Sequence, residues 1–200
     1  MKNKSINLLV KLAMLSAVAV ALMLFEFPLP FIAPPFYEID FSEVPVLIGA
    51  FAFGPWAGAI IEGVKILLNL LINGTVTAGV GELANFILGV VFVLPAAFIY
   101  QKKKTKKGAL LGLCVGTLSL LFVGCLVNVY LMLPAYGNAF GLPISAFVEM
   151  ASAIHPSIDT VTEFALLCVV PFNIIKAVVV SVITLLIYKK LSPILHPKKV

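Results

Sequence analysis

Long apolar runs separated by short polar or proline-rich segments dominate the chain. Most of these runs are long enough to cross about 30 Å of hydrocarbon at about 1.5 Å per residue. The run 44–53 is the exception, because a helix of that length spans only about 15 Å. The pattern predicts six helices, at about 6–25, 44–53, 56–72, 81–100, 108–133 and 164–188.

The connections contain residues that interrupt helices. Four prolines in 27–41 exclude a regular helix there. Asp40 and Glu43, three residues apart, resemble a capping box that opens the second helix. The segment 134–162 is predicted to be a long connection with a short surface helix around 146–153.

Composition places the chain among membrane proteins. Of its 200 residues 62% are hydrophobic and 12% are charged, and the mean hydropathy is +1.13. A soluble domain of this size could not bury so much apolar surface, so the sequence predicts one polytopic, all-α membrane domain over 1–200. Nucleic-acid binding is excluded as a function, since the basic residues flank apolar spans and no basic-aromatic strip is present.

The lysines predict the orientation of the helices. All 14 basic residues are lysines, and all but Lys65 and Lys176 lie at or near the ends of apolar runs. They gather near the N-terminus, at 102–107 and from 189 to the tail that holds Lys198 and Lys199. By the positive-inside rule these segments are cytoplasmic, which predicts a six-transmembrane-helix bundle with cytoplasmic N- and C-termini. The connections 27–43, 73–80 and 134–162 then face outside.

Polar residues at bilayer depth mark a candidate binding site. A charge at the centre of a membrane helix costs about 2.5–3.5 kcal/mol, so an intramembrane lysine needs a ligand or a partner. Asn173 and Lys176 share one face of the last helix, where Pro171 loosens the preceding turn. The predicted helix directions bring more polar groups to the outer half of the bundle, where they line a cavity open to the outside: Lys65, Asn69, Glu82, Asn85, Asn128 and Tyr130.

A purely structural interpretation competes with the binding interpretation. Glu62 and Lys65 have helical spacing and favour a self-neutralising pair, although Lys65 also counts among the candidate binding residues. For Asn128, Asn173 and Lys176 the binding interpretation is favoured, because ionisable residues inside a membrane are usually functional.

Several chemistries lack their sequence signatures. His155 and His196 have no carboxylate or cysteine at metal-ligand spacing, and the three cysteines lie inside apolar runs. No nucleotide-binding loop, nucleophile elbow or metalloprotease motif occurs, so the chain is not expected to be an enzyme or to hydrolyse ATP itself.

Two stripes of small residues predict close helix contacts. One is formed by Ala13, Ala17 and Ala21 on the first helix, and the other by three glycines, 108, 112 and 116, on the fifth. Small residues allow helix backbones to approach closely, either inside the protein or against a partner, and the stripes alone do not decide between these.

Four segments resemble the substrate-binding S-components of energy-coupling factor (ECF) vitamin transporters, and among them the riboflavin-specific group. They are YEIDFSEVP at 37–45, FGPWAG at 53–58, GELANF at 81–86 and PFNIIK at 171–176, and the likeness extends over essentially the whole chain. The first and last of these segments are fairly specific for the riboflavin group. The alanine stripe is a feature of S-components generally.

The resemblance implies capture of riboflavin from outside a bacterial cell and its delivery through a transmembrane T-component and two ABC ATPases. It implies a multi-pass protein of the cell membrane, with riboflavin as the transported ligand and no cofactor. Asn128, Asn173 and Lys176 match the family's polar ligand contacts, and the alanine stripe matches its docking face for the T-component. The expected substrate-binding set is completed by Tyr37, Lys65, Glu82 and Asn85.

The chemistry of riboflavin suits these residue types. The edge of its ring alternates donors and acceptors, which an asparagine amide can match, and a lysine can donate to its carbonyls or hydroxyls. Two other functions stay open at this point: an S-component for another small vitamin, and a structural membrane subunit without a ligand. An intramembrane enzyme is a weaker third alternative, since no catalytic constellation is present.

Overall fold

The described part of the chain is a bundle of helices with one two-stranded ribbon. The computed structural model describes residues 2–195, and Lys198, Lys199 and His196 lie outside that range. The helices are α1 Lys2–Met23, α2 Glu43–Phe53, α3 Pro55–Asn73, α4 Val80–Lys102, α5 Lys106–Val127, α6 Leu133–Phe140, α7 Ile144–Ser152, α8 Val161–Phe164 and α9 Val170–Leu195. The ribbon joins β1 Phe27–Pro28 to β2 Glu38–Ile39.

The all-α membrane class is confirmed. Within residues 2–195, five helical segments are long and apolar enough to cross a bilayer, and α2 is a shorter apolar helix. These segments are Ser5–Met23, Pro55–Asn73, Val80–Lys102, Lys106–Phe140 and Val161–Leu191.

The segment before α2 descends into the bundle instead of staying outside. Asp40 pairs with Lys176 near the middle of the last span, and Ser42 accepts a hydrogen bond from Lys65 near the middle of α3. Helix α2 therefore begins at mid-depth, which explains its shortness. Irregular backbone is tolerated at this depth because it is buried in protein or lines a cavity.

The predicted capping box at the start of α2 is wrong. Ser42, the residue that precedes α2, makes no side-chain capping bond, and Glu43 pairs with Lys65. Asp40 accepts a hydrogen bond from the Ser42 backbone while its other oxygen faces Lys176. Buried ammonium groups satisfy these two carboxylates better than a neutral backbone N–H would, since charge-assisted bonds are the stronger ones.

Two long helices differ from the sequence prediction because each contains a π-helical turn. One π-turn, Asn128–Met132, joins α5 to α6, so this helix continues beyond Leu133 to Phe140. Pro134 lies in the first turn of α6, where its missing N–H and fixed φ are tolerated. The other π-turn, Ala165–Val169, joins α8 to α9.

The two stripes of small residues serve different surfaces. A Cβ at Gly112 or Gly116 would collide with the backbone oxygens of Ala96 and Phe92, so this stripe lets α5 pack closely on α4. Ala13, Ala17 and Ala21 are exposed on α1, whose buried side is formed by other residues. The alanine stripe is therefore available to lipid or to a partner.

Two apolar clusters fill the bundle. One cluster includes Val46 and Phe51 of α2 and Val93 of α4. The other includes Phe147 of α7 and Phe164 of α8. Burying a side chain of this size stabilises a fold by about 1.5–3 kcal/mol in water, and within lipid the same contacts act through close packing.

Candidate functional site

A cavity of about 390 Å³ lies where the end of α3, the start of α4, the α5–α6 π-turn and α9 meet. This volume falls in the range that small-molecule sites occupy. The walls carry five aromatic side chains, several amides, three glutamates and one lysine. The lining residues are Met23, Glu26, Phe36, Tyr37, Glu38, Asn69, Asn73, Gly74, Val76, Thr77, Gly81, Glu82, Ala84, Asn85, Leu88, Asn128, Met132, Tyr136, Phe140, Phe172 and Lys176.

The structure brings five of the seven expected binding residues to this cavity. Tyr37 comes from the segment between β1 and β2, Glu82 and Asn85 from the first turns of α4, Asn128 from the π-turn and Lys176 from α9. Lys65 and Asn173 do not line it.

Lys176 reaches the cavity as part of an ion pair. Its Nζ lies 2.9 Å from Asp40 Oδ2, and both side chains are largely buried. The carboxylate of Asp40 neutralises the ammonium of Lys176 at the cavity wall.

Asn128 is held in a fixed orientation by Tyr37. The Tyr37 hydroxyl donates to Asn128 Oδ1 at 2.6 Å, and Asn128 Nδ2 donates to the Gly124 carbonyl at 2.8 Å. Burial raises the pKa of the Tyr37 hydroxyl well above its ordinary value, so it remains a donor. The amide is thus preorganised toward the cavity.

Aromatic rings surround Tyr37 and form one side of the cavity. The Tyr37 ring lies 5.5 Å from Phe172 and 5.0 Å from Phe36, and Phe36 lies 5.2 Å from Tyr136. Rings at these separations favour tilted or edge-to-face packing, which makes a rigid apolar wall. Such a wall suits a flat aromatic ligand.

The α5–α6 π-turn shapes this part of the site. Asn128 is its first residue and Met132 is its last, and both line the cavity. A π-turn adds a residue to a helical turn, and such turns are frequent at functional sites. Sequence periodicity missed it because an inserted residue in an apolar run leaves no compositional mark.

Lys65, one of the expected binding residues, belongs to a separate buried cluster and not to the cavity lining. Its Nζ lies 2.8 Å from Glu43 Oε1 and 2.7 Å from Glu62 Oε1. It also donates to Ser42 Oγ at 3.1 Å. Three acceptors occupy the ammonium, which leaves it no free direction toward the cavity.

Asn173 lies behind the cavity wall. Its amide nitrogen donates to the Val169 carbonyl at 3.0 Å and packs against Gly124 of α5. The α8–α9 π-turn ends at Val169, so Asn173 satisfies a carbonyl next to that irregular turn. Asn173 therefore stabilises the helix backbone next to the cavity and does not face the cavity itself.

The sequence prediction missed several lining residues. Glu26, Glu38 and Tyr136 lie in or near external connections, where polar residues are expected in any membrane protein. The pKa of Glu26 is raised to about 6, mainly because the carboxyl is partly buried and to a smaller extent because Glu38 and Asp40 repel its charge. In the sequence, Glu26, Glu38 and Asp40 look like ordinary acidic residues of a loop. Only the pairing of β1 with β2 brings them close together, and the sequence gives no sign of that pairing. Among residues 2–195 no group of three or more His, Cys, Asp and Glu side chains is placed to hold a metal ion.

Comparisons with known proteins point to one family. The sequence-family model for the substrate-specific component of ECF transporters matches residues 7–188 of this chain. The chain is 38% identical over 184 residues to the "Riboflavin transporter RibU" of Staphylococcus aureus (strain TCH60), covering 92% of this chain and 89% of that protein. It is 37% identical over 186 residues to the "Riboflavin transporter FmnP" of Bacillus subtilis (strain 168), covering 92% of each.

A solved structure has the same fold. It is described as the S component of a bacterial ECF transporter, and it superimposes with a TM-score of 0.74 at 36% identity. The match covers 98% of this chain and 99% of the other. The helices that form the cavity therefore belong to the matched region.

Proposed function

Because the chain belongs to the substrate-specific components of ECF transporters, we propose that it binds riboflavin at the outer side of the bacterial cell membrane and delivers it for import. It is a multi-pass membrane protein and a non-enzymatic transport subunit. Riboflavin is the transported ligand in this proposal, and no cofactor is required.

The cavity is the observation that carries the proposal. It combines an aromatic wall with the fixed amide of Asn128 and the ammonium of Lys176. Riboflavin is flat and aromatic, its ring edge carries alternating donors and acceptors, and its tail carries hydroxyls. A ligand-free structural subunit would not need a cavity of about 390 Å³ between polar and aromatic walls.

Titration of the purified protein tests the proposal. Riboflavin fluorescence is expected to be quenched in a saturable way as the ring stacks in the aromatic wall, while thiamine and biotin should not compete. Displacement of riboflavin by one of these vitamins would instead identify an S-component for another ligand. Absence of any saturable binding would leave the structural-subunit alternative.

We extend the proposal to six crossings with both termini in the cytoplasm. Helix α2 would provide the sixth crossing together with the segment that descends before it. Lys11 of α1 lies over the Phe53 ring at the end of α2, and Gln101 of α4 donates to the Phe51 carbonyl. Tyr100 and Tyr188 also meet, so the C-terminal parts of α2, α4 and α9 and the N-terminal half of α1 share one end of the bundle. This arrangement supports an even number of crossings.

Cysteine labelling tests the orientation. In a background without the three native cysteines, Lys104→Cys and Asn138→Cys are expected to react with impermeant reagents from opposite sides of the membrane. Both residues are exposed, at opposite ends of the Lys106–Phe140 segment. Labelling of both from the same side would contradict the six-crossing arrangement.

The partners in this proposal are a T-component and two ABC ATPases, which supply the energy that this chain cannot. We assign docking of the T-component to the exposed alanine stripe of α1. Small side chains let a partner helix approach closely, and no polar group interrupts the stripe.

Ala17→Trp tests this docking face. The variant is expected to bind riboflavin like the parent, because Ala17 does not line the cavity, but to lose co-purification with a T-component and riboflavin uptake. Leu118→Trp is the matched control, since Leu118 is exposed on α5 away from the stripe. Undiminished uptake by Ala17→Trp would show that the stripe faces only lipid.

A further inference from the structure

A buried polar cluster lies about one helical turn below the cavity, toward the middle of the bundle. Lys65 of α3 donates to Ser42 Oγ at 3.1 Å and pairs with Glu43 at 2.8 Å and with Glu62 at 2.7 Å. We call these four residues the Lys65 cluster, and none of them lines the cavity. Asn69, which does line it, follows Lys65 by four residues on α3, so the two share one face of that helix about one turn apart.

Helix α4 is shaped to admit the two carboxylates of the cluster. Gly89 follows Asn85, another lining residue, by four positions on this helix. A Cβ at Gly89 would collide with the Glu62 carboxylate and would lie 3.1 Å from Glu43 Oε1. Glycine is a poor helix former, so its place inside α4 is best explained by this close approach. Helices α2, α3 and α4 therefore meet at the Lys65 cluster, directly below the cavity.

Stability of the helix bundle does not account for the cluster. Lys65 and Glu62 are almost completely buried, and Glu43 Oε2 and Glu62 Oε2 have no hydrogen-bond partner among the described residues. Taking charges out of water usually costs more than their attraction returns unless every remaining oxygen is satisfied. Helices α2 and α3 are already joined by apolar packing, in which Ile61 fills the space beside Gly49. A cluster that adds so little stability is expected to serve another purpose.

Ser42 connects the cluster to the wall of the cavity. Its Oγ accepts the hydrogen bond from Lys65, and its backbone N–H donates to Asp40 Oδ1 at 2.7 Å. The other oxygen of Asp40 pairs with Lys176 at 2.9 Å. A continuous chain of polar contacts therefore runs from the cluster through the segment 37–42 to the cavity. Only Glu38 and Ile39 of this segment belong to the ribbon, so regular structure does little to fix its position.

We propose that the Lys65 cluster positions the segment 37–42 for riboflavin binding. The segment carries the two side chains that hold the polar groups of the cavity, Tyr37 on Asn128 and Asp40 on Lys176. The members of the cluster are positioning residues, which act through this segment and do not touch the ligand. The inference rests on the proposed function, because it concerns how the same site is kept ready for riboflavin.

Ser42→Ala tests the connection with the smallest change. The variant removes the acceptor on the segment but leaves Lys65 both of its carboxylates, so the apparent Tm is expected to stay close to that of the parent. The Kd for riboflavin should rise roughly tenfold, because a site that is correctly arranged about a tenth of the time binds about ten times more weakly. Ser16→Ala is the matched control, since Ser16 is a buried serine of α1 outside both the cavity and the cluster.

A triple variant removes the cluster completely. Lys65→Met combined with Glu43→Gln and Glu62→Gln is expected to melt near the parent's Tm, because replacing a whole buried ionic cluster is often close to neutral. Riboflavin binding should nevertheless weaken about tenfold, as in Ser42→Ala. A purely structural cluster would change Tm and Kd together, and that result in both variants would overturn the inference. Binding like the parent in both variants would overturn it as well.

Hydrogen exchange of the ligand-free protein tests the positioning without riboflavin. Backbone amides of 37–42 should exchange faster in Ser42→Ala and in the triple variant than in the parent, because the segment opens more often. Amides of α7, Ile144–Ser152, should exchange at unchanged rates. Weaker binding with unchanged exchange of 37–42 would contradict the proposal. If the parent fails to bind riboflavin, the proposed function is wrong, and the exchange rates still decide whether the cluster holds the segment.

Discussion

Replacing Lys65 by alanine is expected to destabilise the protein by about 3–5 kcal/mol, the usual cost of removing one partner from a buried ion pair. Glu43 and Glu62 would lose their shared ammonium, and their remaining oxygens, Glu43 Oε2 and Glu62 Oε2, already have no hydrogen-bond partner among the described residues. Glu62 is completely buried, so water cannot replace the lysine. The apparent Tm in detergent should fall on the order of 10 °C.

A triple variant is the control for this prediction. Lys65→Met combined with Glu43→Gln and Glu62→Gln removes all three ionisable groups, and replacing a complete buried cluster is often close to neutral. Its Tm should recover most of the loss seen in Lys65→Ala. If the single variant melts at the parent's temperature, water must reach the carboxylates and the cluster is not dry.

Lys176→Ala is expected to weaken riboflavin binding by roughly 10- to 100-fold. The substitution removes a charged donor from a desolvated wall, and a hydrogen bond to a charged group is worth about 1.5–3 kcal/mol. It also leaves Asp40 buried without its cation, which would loosen the segment that carries Tyr37. Titration of riboflavin fluorescence measures the combined effect.

The double variant K176A/D40N separates the two contributions. It removes the stranded carboxylate together with the lysine, so the segment before α2 keeps a neutral side chain that can still accept the Ser42 N–H. If Lys176 contacts riboflavin directly, as we expect, the double variant binds as weakly as Lys176→Ala. Recovery of affinity in the double variant would mean that Lys176 acts only by holding Asp40.

The sequence was sufficient to predict the membrane class and most of the long helices. Apolar runs set the spans, and lysine clusters marked one end of the bundle. Helix α6 was not predicted, because Pro134 ordinarily ends a helix and the preceding π-turn, which accommodates it, has no compositional signature. The depth of the segment before α2 was also missed, since hydropathy treats Asp40 and Glu43 as exposed loop residues.

The candidate site was predictable to the extent that its residues are unusual for their location. Asn128 and Lys176 are conspicuous within apolar runs, and both line the cavity. Their partners could not be foreseen, because Tyr37 precedes Asn128 by 91 positions and Asp40 precedes Lys176 by 136. Asn173 and Lys65 are also polar residues within apolar runs, but they do not line the cavity. Asn173 donates to the Val169 carbonyl, and Lys65 pairs with two carboxylates. These partners depend on how neighbouring helices pack, which the sequence does not reveal.

The pairing of Asp40 with Lys176 also orders events during synthesis. Asp40 leaves the ribosome before its ion-pair partner, which belongs to α9 and follows 136 positions later. A nascent chain that contains only the first five predicted helices has Tyr37 and Asn128 but lacks Lys176, the ion-pair partner of Asp40. The buried carboxylate can therefore meet its ion-pair partner only after α9 has been synthesised, so this wall of the cavity cannot be completed before that helix is in place.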